Sequence, residues 1–382
     1  MSIRPVLGVL MLLVLGTAQA QPAGEVDRHR LHGAAGAFVA DRVLSGLAPV
    51  GAIAFLPGGD ALVAQRSAGV LSRVDLNEGQ RRDLAGMPEM LRFSGSGLLD
   101  VALHPEFAET RWVYISYSEG EEYRSTVVLD RFRLDGDRVT ELERVFTADA
   151  YSENPYHYGG RIGFLDGYLY LTVGDRQHRE RAQDRSNHTG SVVRLHDDGR
   201  VPVDNPFAGE SASGDRVPPR PEIWSYGHRN PQGFVVDAES VTLWVHEHGP
   251  RGGDELNTIE RGANYGWPEI SFGLEYDGGP IGKGITREEG MEQPVWVWVP
   301  SIAPSGMILY RGNAFAGWTG NLLIGAMGLT HLNRLVLEDG AVVLEERLAR
   351  GVLGRIRSVA EGPEGAVYVG TDAGEVWRLL PN

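Results

Sequence analysis

One histidine and one aspartate are spaced so that they could act together in catalysis. His157 lies in the segment NPYHYGGRIGF, directly before a tight glycine-rich turn, and Asp175 closes the following strand pair in the segment TVGDR. If that pair is a hairpin, the carboxylate returns to the imidazole, orients the ring and raises its basicity. This is the arrangement of a general base with its orienting acid. The alternative is an ordinary surface histidine.

Arginines in two further segments offer groups that bind planar anions. In YGHRNPQGF, Arg229 and Asn230 precede a proline, which favours an extended backbone at Asn230. The guanidinium of Arg229 suits a planar anion or a carbonyl group. In GRIRSV, Arg355 and Arg357 alternate on a predicted strand and point the same way, so they could grip carboxylates. The alternatives are an arginine that joins two loops and a solvated strand edge.

The segment LWVHEHGPRGGDELNTIERGANYGWPE combines turn-forming residues with acids. Asp254 and Glu255 offer carboxylate oxygens, and the glycine-rich backbone offers carbonyls, both of which suit Ca²⁺. The segment has no EF-hand pattern, so a long connection without a metal is the alternative. His246 and His248 would share one strand face, but no third zinc ligand is evident.

Repeated strand pairs must position these residues. Each unit has an apolar run, a turn rich in Gly, Pro or Asp, and an alternating strand that ends in a polar residue. A glycine followed by an apolar-x-Arg-Leu pattern comes after most units and predicts an outer hairpin. Roughly six such units predict an all-β, six-bladed β-propeller; a β-sandwich is the alternative. The units cover residues 52–65, 100–118, 161–175, 233–247, 307–327 and 357–372.

A propeller predicts where the polar residues meet. The inner strands of all blades end at a central channel, so Asp175, His246 to His248 and Asp372 should lie near blade ends. The units extend over nearly the whole chain after its N-terminus, which predicts a single domain over residues 21–382. The longest irregular stretch, residues 202–221, is expected to be a loop on one face.

The N-terminal residues 1–20 have the features of a secretory signal peptide. Arg4 gives the positive end, Leu7 to Leu15 the apolar run, and Ala18-Gln19-Ala20 the cleavage site. This predicts a periplasmic or secreted protein without a membrane span after cleavage; an uncleaved anchor is the alternative. The chain has no cysteine, which excludes disulfides, and its net charge of −15 argues against nucleic acid or anionic membranes as partners.

Taken together, the segments resemble the soluble quinoprotein sugar dehydrogenases of the glucose/sorbosone and aldose sugar dehydrogenase family. The resemblance implies a six-bladed propeller that binds pyrroloquinoline quinone (PQQ) and Ca²⁺ in its channel. It implies oxidation of the anomeric hydroxyl of aldoses to lactones. The matching segments run in order along the chain: GLLDVALHPEF (97–107), HYGGRI (157–162), LYLTVGDR (169–176), IWSYGHRNPQGF (223–234), VHEHGPRGGDELNTIERGANYGWP (245–268), PSIAPSGM (300–307) and RIRSVAEGPEGAVYVGTD (355–372).

The resemblance also implies roles for individual residues. His157 matches the family's general base, which takes the hydroxyl proton as a hydride passes to the quinone, and Asp175 matches its carboxylate partner. Arg229 matches a residue placed to stabilise the developing oxyanion. The residues that match cofactor-contacting positions are Arg229, Asn230, Arg355 and Arg357.

Two calcium sites follow from the same resemblance. The carbonyls of Gly249 and Pro250 match ligands of the calcium that holds PQQ. Glu255 and the carbonyl of Tyr265 match ligands of a second, structural calcium, whereas Asp254 is not expected to be a ligand.

This sequence departs from the family pattern at three positions. Gly95 stands where the family often has a Gln that contacts the cofactor, and Gly328 where some members have a Lys. Val299, directly before Pro300, stands where some members carry an aromatic residue over the substrate. These differences predict a weaker grip on PQQ and an altered or broad substrate range.

The sequence therefore predicts a PQQ- and calcium-dependent dehydrogenase of aldose sugars. Its partners would be a small sugar or alcohol and an external electron acceptor, and it would act as a monomer or homodimer. Two alternatives remain: a calcium-stabilised binding module that has lost redox chemistry, and a calcium-dependent lactonase on a similar propeller.

Overall fold

The computed structural model describes residues 27–211 and 217–382, so the predicted signal peptide, residues 1–20, lies outside the described residues. Helix within that part of the chain is limited to α1 (Phe107–Thr110) and a 3₁₀ helix (Arg179–Gln183). The strands are β1 (Arg28–Gly33), β2 (Gly36–Leu44), β3 (Val50–Phe55), β4 (Ala61–Gln65), β5 (Val70–Asp75), β6 (Gln80–Asp83), β7 (Leu98–Leu103), β8 (Trp112–Glu121), β9 (Arg124–Asp135), β10 (Arg138–Thr147), β11 (Gly159–Leu165), β12 (Tyr168–Val173), β13 (Ser191–His196), β14 (Ile223–Tyr226), β15 (Pro231–Asp237), β16 (Thr242–Glu247), β17 (Asp254–Thr258), β18 (Trp296–Trp298), β19 (Pro304–Leu309), β20 (Leu322–Ala326), β21 (His331–Glu338), β22 (Ala341–Leu348), β23 (Ile356–Glu361), β24 (Val367–Thr371) and β25 (Val376–Pro381).

These strands form six antiparallel sheets, and the predicted six-bladed β-propeller is confirmed. Five blades are four-stranded meanders: β3 to β6, β7 to β10, β11 to β14, β15 to β18 and β19 to β22. The first strands of neighbouring blades, β3, β7, β11, β15, β19 and β23, contact one another in a closed ring. The six sequence units coincide with the inner strand pair of each blade.

The sixth blade closes the ring by joining the two ends of the chain. Its strand order is β1-β2-β25-β24-β23, and β2 pairs with the C-terminal β25 from Phe38 opposite Pro381 to Leu44 opposite Val376. Because these backbone hydrogen bonds join distant parts of the sequence, the blades cannot separate without breaking them.

Apolar side chains fill the space between each pair of blades. Tyr117, Phe132 and Ile115 pack between the first two blades, and Trp244 and Trp298 pack between the fourth and fifth. Glycines in the inner strands make room for neighbouring side chains: a Cβ on Gly233 would lie 2.0 Å from Nε2 of His246. The high glycine content therefore reflects crowding around the channel as well as turns.

The polar residues lie where the propeller predicts. Asp175 follows β12, His248 follows β16 and Asp372 follows β24. Residues 202–211 and 217–221 contain no strand or helix, as expected of a loop, but the stretch is not the longest irregular one, because residues 259–295 between β17 and β18 form a longer one. That segment contains isolated β-bridges, such as the one between Ile270 and Ile285, instead of regular strands.

Among residues 27–211 and 217–382, no helix has the length and apolar character that a membrane span requires.

Candidate functional site

The hairpin of β11 and β12 brings His157 and Asp175 together. His157 precedes β11 and Asp175 follows β12, and the two strands pair from Gly159 opposite Val173. Nδ1 of His157 lies 2.6 Å from Oδ1 of Asp175. A Cβ on Gly174 would lie only 2.0 Å from the carbonyl oxygen of His157, so this close return requires glycine.

Asp175 is held in its charged form by donors on several sides. Its Oδ1 also accepts the backbone N–H of Gln177 at 2.8 Å, and its Oδ2 accepts the indole N–H of Trp267 at 2.8 Å. Burial pushes the pKa of Asp175 upward, but the hydrogen bond and charge of His157, with Arg229, outweigh it and the pKa lies below its ordinary value.

The imidazole of His157 has the properties of a base. Burial lowers the pKa of His157 below its ordinary value of 6.5, although the hydrogen bond to Asp175 acts in the opposite direction. The ring is therefore neutral at pH 7, and its Nδ1–H donates to Oδ1 of the charged Asp175. Within the part of the chain that the structure describes, Nε2 has no hydrogen-bond partner, and the side chain is 15% exposed. Nε2 can therefore accept a proton from a molecule in the channel.

Arg229 lies beside this pair, at the entrance to β15. Its carbonyl oxygen accepts the N–H of Asp175 at 2.7 Å, which joins the two blades. Its Nη1 donates to the carbonyls of His248 and Gly249, each at 2.9 Å, while its Nε is buried without a partner among the described residues. Arg229 thus joins two loops and still holds a free donor.

Asn230 is turned into the same blade. Its Oδ1 accepts Nε2 of Gln232 at 3.1 Å, and its carbonyl accepts the N–H of His248 at 3.2 Å. This fixes the chain at the start of β15, next to the guanidinium of Arg229.

Arg355 and Arg357 reach one shared carboxylate at the start of β23. Nε of Arg355 donates to Oδ2 of Asp372 at 2.8 Å, and Nε of Arg357 donates to Oδ1 of the same residue. Burial raises the pKa of Asp372, but the hydrogen bonds and charges of the two arginines bring it below its ordinary value. Since the two guanidinium groups share a single carboxylate, one positive charge is not neutralised and can attract another anion.

The loop at Gly249 and Pro250 is built around Asp254. Oδ1 of Asp254 accepts the N–H of Gly249 at 2.9 Å, and Oδ2 accepts the N–H groups of Ile302 and Ala303, each at 2.9 Å. Both carboxylate oxygens are therefore used by the protein itself. The Gly249 carbonyl, a predicted calcium ligand, accepts from Arg229 and retains one lone pair.

Glu255 faces a second acid instead of a cation. It stands opposite Glu247 in the pairing of β16 and β17. Burial, followed by the charge of Glu247, raises the pKa of Glu255 well above its ordinary value. Both acids line a cavity of about 10 Å³, together with Arg229, Tyr265 and Trp267 among others. Such a cavity holds about one water-sized species; the two acids favour a cation there, and the guanidinium of Arg229 opposes it.

Glu247 was missed by the sequence reasoning, which treated HEH only for its histidines. Its carboxylate accepts Nδ1 of His228 at 2.9 Å and the N–H of Arg229. No cluster of three or more His, Asp or Glu residues that could hold a metal occurs in residues 27–211 and 217–382. A cation between Glu247 and Glu255 would therefore also need carbonyl oxygens or water.

His246 and His248 are used within the protein. Nε2 of His248 lies 2.6 Å from the carbonyl of Pro304, and Nε2 of His246 contacts the carbonyl of Ser305. Burial lowers the pKa of both rings. The two imidazoles therefore attach the fourth blade to the fifth and do not converge on a shared metal position.

Three departures from the family pattern have structural consequences. A Cβ on Gly95 would lie 2.7 Å from the carbonyl oxygen of Pro155, and one on Gly328 would lie 3.0 Å from that of Ile302. A side chain at Gly95 would require a shift of the neighbouring backbone, and one at Gly328 would require Ile302 to move by a few tenths of an ångström. Val299 is 69% exposed, so it leaves the adjoining surface open.

Comparison with known proteins gives a consistent result. A family model described as "Glucose / Sorbosone dehydrogenase" matches residues 48–378. The aldose sugar dehydrogenase of Escherichia coli is 38% identical over 338 residues, which cover 86% of this chain and 89% of that protein. A crystal structure of a glucose dehydrogenase superposes with a TM-score of 0.84 and 38% identity, covering 90% of this chain and 99% of the other. The PQQ-bound aldose sugar dehydrogenase of Streptomyces coelicolor superposes with a TM-score of 0.70 and 27% identity, covering 94% and 99% of the two chains.

Proposed function

This chain belongs to the glucose/sorbosone dehydrogenase family, and from that premise we propose that it is a PQQ-dependent dehydrogenase that oxidises the C1 hydroxyl of aldose sugars to lactones. The observation that carries the proposal is the His157–Asp175 pair, with its Nδ1 to Oδ1 distance of 2.6 Å and its unpartnered Nε2 beside Arg229. These are the groups that removal of a hydroxyl proton requires.

The residues around the channel fit an anionic quinone. Among the described residues, the buried Nε of Arg229 has no partner. The two positive charges of Arg355 and Arg357 are paired with the single negative charge of Asp372. PQQ carries several carboxylates on a planar ring system, which is the chemistry that guanidinium groups bind best. Arg229, Asn230, Arg355 and Arg357 would hold it.

The protein's own residues supply the proton chemistry. Nε2 of His157 accepts the proton of the sugar C1 hydroxyl, and Asp175 stabilises the imidazolium that forms. The guanidinium of Arg229 stabilises negative charge that develops on oxygen. When bound, PQQ supplies the quinone carbon that accepts the hydride from C1.

We further propose that calcium binds at two places. The carbonyls of Gly249 and Pro250 would hold the calcium next to PQQ. Glu255 and the carbonyl of Tyr265 would hold a structural calcium, and Glu247 adds a second carboxylate to that cavity. The raised pKa of Glu255 supports a cation there, because a cation would remove the repulsion that Glu247 exerts.

We also propose the remaining features that the sequence predicts. Residues 1–20 are a cleaved signal peptide, and residues 21–382 form one propeller domain that works in the periplasm or is secreted. Its substrate is a small sugar or alcohol, its electron acceptor is external, and it is a monomer or homodimer.

Reconstitution tests this function directly. The purified protein is loaded with PQQ and Ca²⁺, and dye reduction is followed with a panel of aldoses. Turnover with at least one aldose, dependent on both additions, is the expected result. If neither a bound-quinone spectrum nor turnover with any sugar or alcohol is seen, the proposal is wrong; hydrolysis of a lactone under Ca²⁺ alone would favour the lactonase instead.

A further inference from the structure

Arg66 lies at the cofactor end of the channel, although no motif pointed to it. It directly follows β4 and is half-buried, and its Nη2 donates to the carbonyl of Gly95. Its Cβ lies 3.3 Å from where a Cβ on Gly51 would be, and the Gly51 carbonyl accepts Nη1 of Arg161 at 3.3 Å. Arg66 therefore stands at the start of inner strand β3, beside the arginine of inner strand β11.

The surroundings of Arg66 are rich in positive charge. Arg355 and Arg357 share Asp372, and Arg161 lies 3.5 Å from Asp100. In the part of the chain that the structure describes, Arg66 has no carboxylate at ion-pair distance. These four guanidinium groups thus share two carboxylates, both already engaged.

The electrostatic effect on Arg66 is large. Burial, together with the charges of Arg357 and Arg161, lowers the pKa of Arg66 to about 9, although Asp372 acts in the opposite direction. A guanidinium in such surroundings is stabilised most by an anion that brings new negative charge. An anionic ligand in the channel would provide that charge.

The crowding around Gly95 explains why a neighbouring arginine would contact a ligand at this position. Pro155 and Tyr156 occupy the space beside Gly95, with atoms 2.7 and 3.0 Å from an added Cβ, so a side chain there would require the neighbouring chain to shift. Arg66 holds the Gly95 carbonyl through Nη2 alone. Among the described residues, its other guanidinium N–H groups have no hydrogen-bond partner, so they can donate to a ligand beside Gly95.

We propose that Arg66 binds a carboxylate of PQQ beside Gly95, through the donors that do not contact the Gly95 carbonyl. This inference rests on the proposed function, because it needs PQQ as the ligand. It makes Arg66 a cofactor-binding residue that acts with Arg357 on an anionic edge of the ring system.

The test separates binding of charge from support of the fold. Apo protein in Ca²⁺ is titrated with PQQ and with the uncharged PQQ trimethyl ester, and binding is followed by quenching of tryptophan fluorescence. We expect Arg66→Gln to weaken PQQ binding roughly 10- to 100-fold, as expected for a lost charge-assisted hydrogen bond, and to change ester binding by less than about 3-fold. Arg66→Lys should give an intermediate value, because it keeps the charge and loses the planar fork.

A matched control comes from the same blade. Arg81 in β6 is exposed and faces away from the channel ring, so Arg81→Gln should leave both affinities unchanged. Unfolding midpoints of the apo proteins should show Arg66→Gln to be about as stable as the wild type, since removal of the repulsion from Arg161 and Arg357 offsets the lost hydrogen bond to the Gly95 carbonyl.

Two results would overturn the inference alone: wild-type affinity for PQQ in Arg66→Gln, or an equal loss of affinity for PQQ and for its ester. A wild-type protein that binds no PQQ would overturn the proposed function, and the inference with it.

Discussion

Asp175 and Glu255 are two acids on either side of Trp267, and their surroundings shift them in opposite directions. The indole N–H of Trp267 donates to Asp175, and the same residue lines the cavity of Glu255. Burial acts to raise the pKa of both acids: at Asp175 the donors and the base outweigh it and the pKa is lowered, whereas at Glu255 the charge of Glu247 adds to it and the pKa is raised. The partners that stabilise the charge of Asp175 all come from the protein itself. Glu255 must take up a proton or a cation from solvent to offset its burial next to Glu247. Burial alone therefore does not decide the charge of an acid; the partners do.

The largest effect is expected when the base beside Asp175 is removed. His157→Ala should lower kcat by roughly 10²- to 10⁴-fold, the usual contribution of a general base. PQQ affinity, measured by fluorescence titration, should change little in the same variant. A variant with near-wild-type kcat in the dye assay would remove His157 from this role.

Replacement of Asp175 tests how far the acid supports the base. Asp175→Asn should lower kcat by roughly 10²-fold, because the imidazolium loses its counter-charge and the ring its fixed orientation. The hydrogen bond and charge of Asp175 raise the pKa of His157, so their loss should move the acid limb of the kcat/KM profile to lower pH. A limb that moves to higher pH would contradict this pairing.

The sequence was sufficient for one of these acids and insufficient for the other. Asp175 and His157 are joined by a single hairpin, so local turn and strand signals predicted their meeting. Glu247 opposite Glu255 depends on the register of β16 and β17, and Trp267 reaches Asp175 from another blade. Arg66 could not be found for the same reason, since its arginine neighbours come from other blades. Repeats predict which strands pair, but neither the register of the pairing nor which side chains meet across blades.

Calcium and pH should act together on Glu255. The pKa of Glu255 is raised in the folded protein above its ordinary value of 4.5, which applies to the unfolded chain. Between these two pKa values, the folded state retains a proton that the unfolded state has lost. Stability of the calcium-free protein should therefore fall as pH rises from 4.5 through the folded pKa of Glu255. Saturating Ca²⁺ should remove this dependence of stability on pH. The stabilisation that Ca²⁺ provides should therefore grow as the pH rises.

Thermal unfolding with chelator or Ca²⁺, from pH 5 to about pH 8, measures this effect. Glu255→Gln should remove most of the slope and most of the calcium stabilisation, whereas the exposed Glu289→Gln should retain both. Calcium stabilisation that is unchanged in Glu255→Gln would show that the ion binds elsewhere.

The smallest effect should come from the residue between the two acids. Trp267→Phe removes the donor that lies 2.8 Å from Oδ2 of Asp175 and keeps most of the ring volume. The loss of one hydrogen bond to the carboxylate should lower kcat by roughly 2- to 10-fold. Trp296→Phe is the matched control, because its indole nitrogen is buried without a partner and its removal breaks no bond among the described residues. Equal kcat values for the two variants would mean that Asp175 needs only His157 to stay charged, and the contrast with Glu255 would then depend on that single pair.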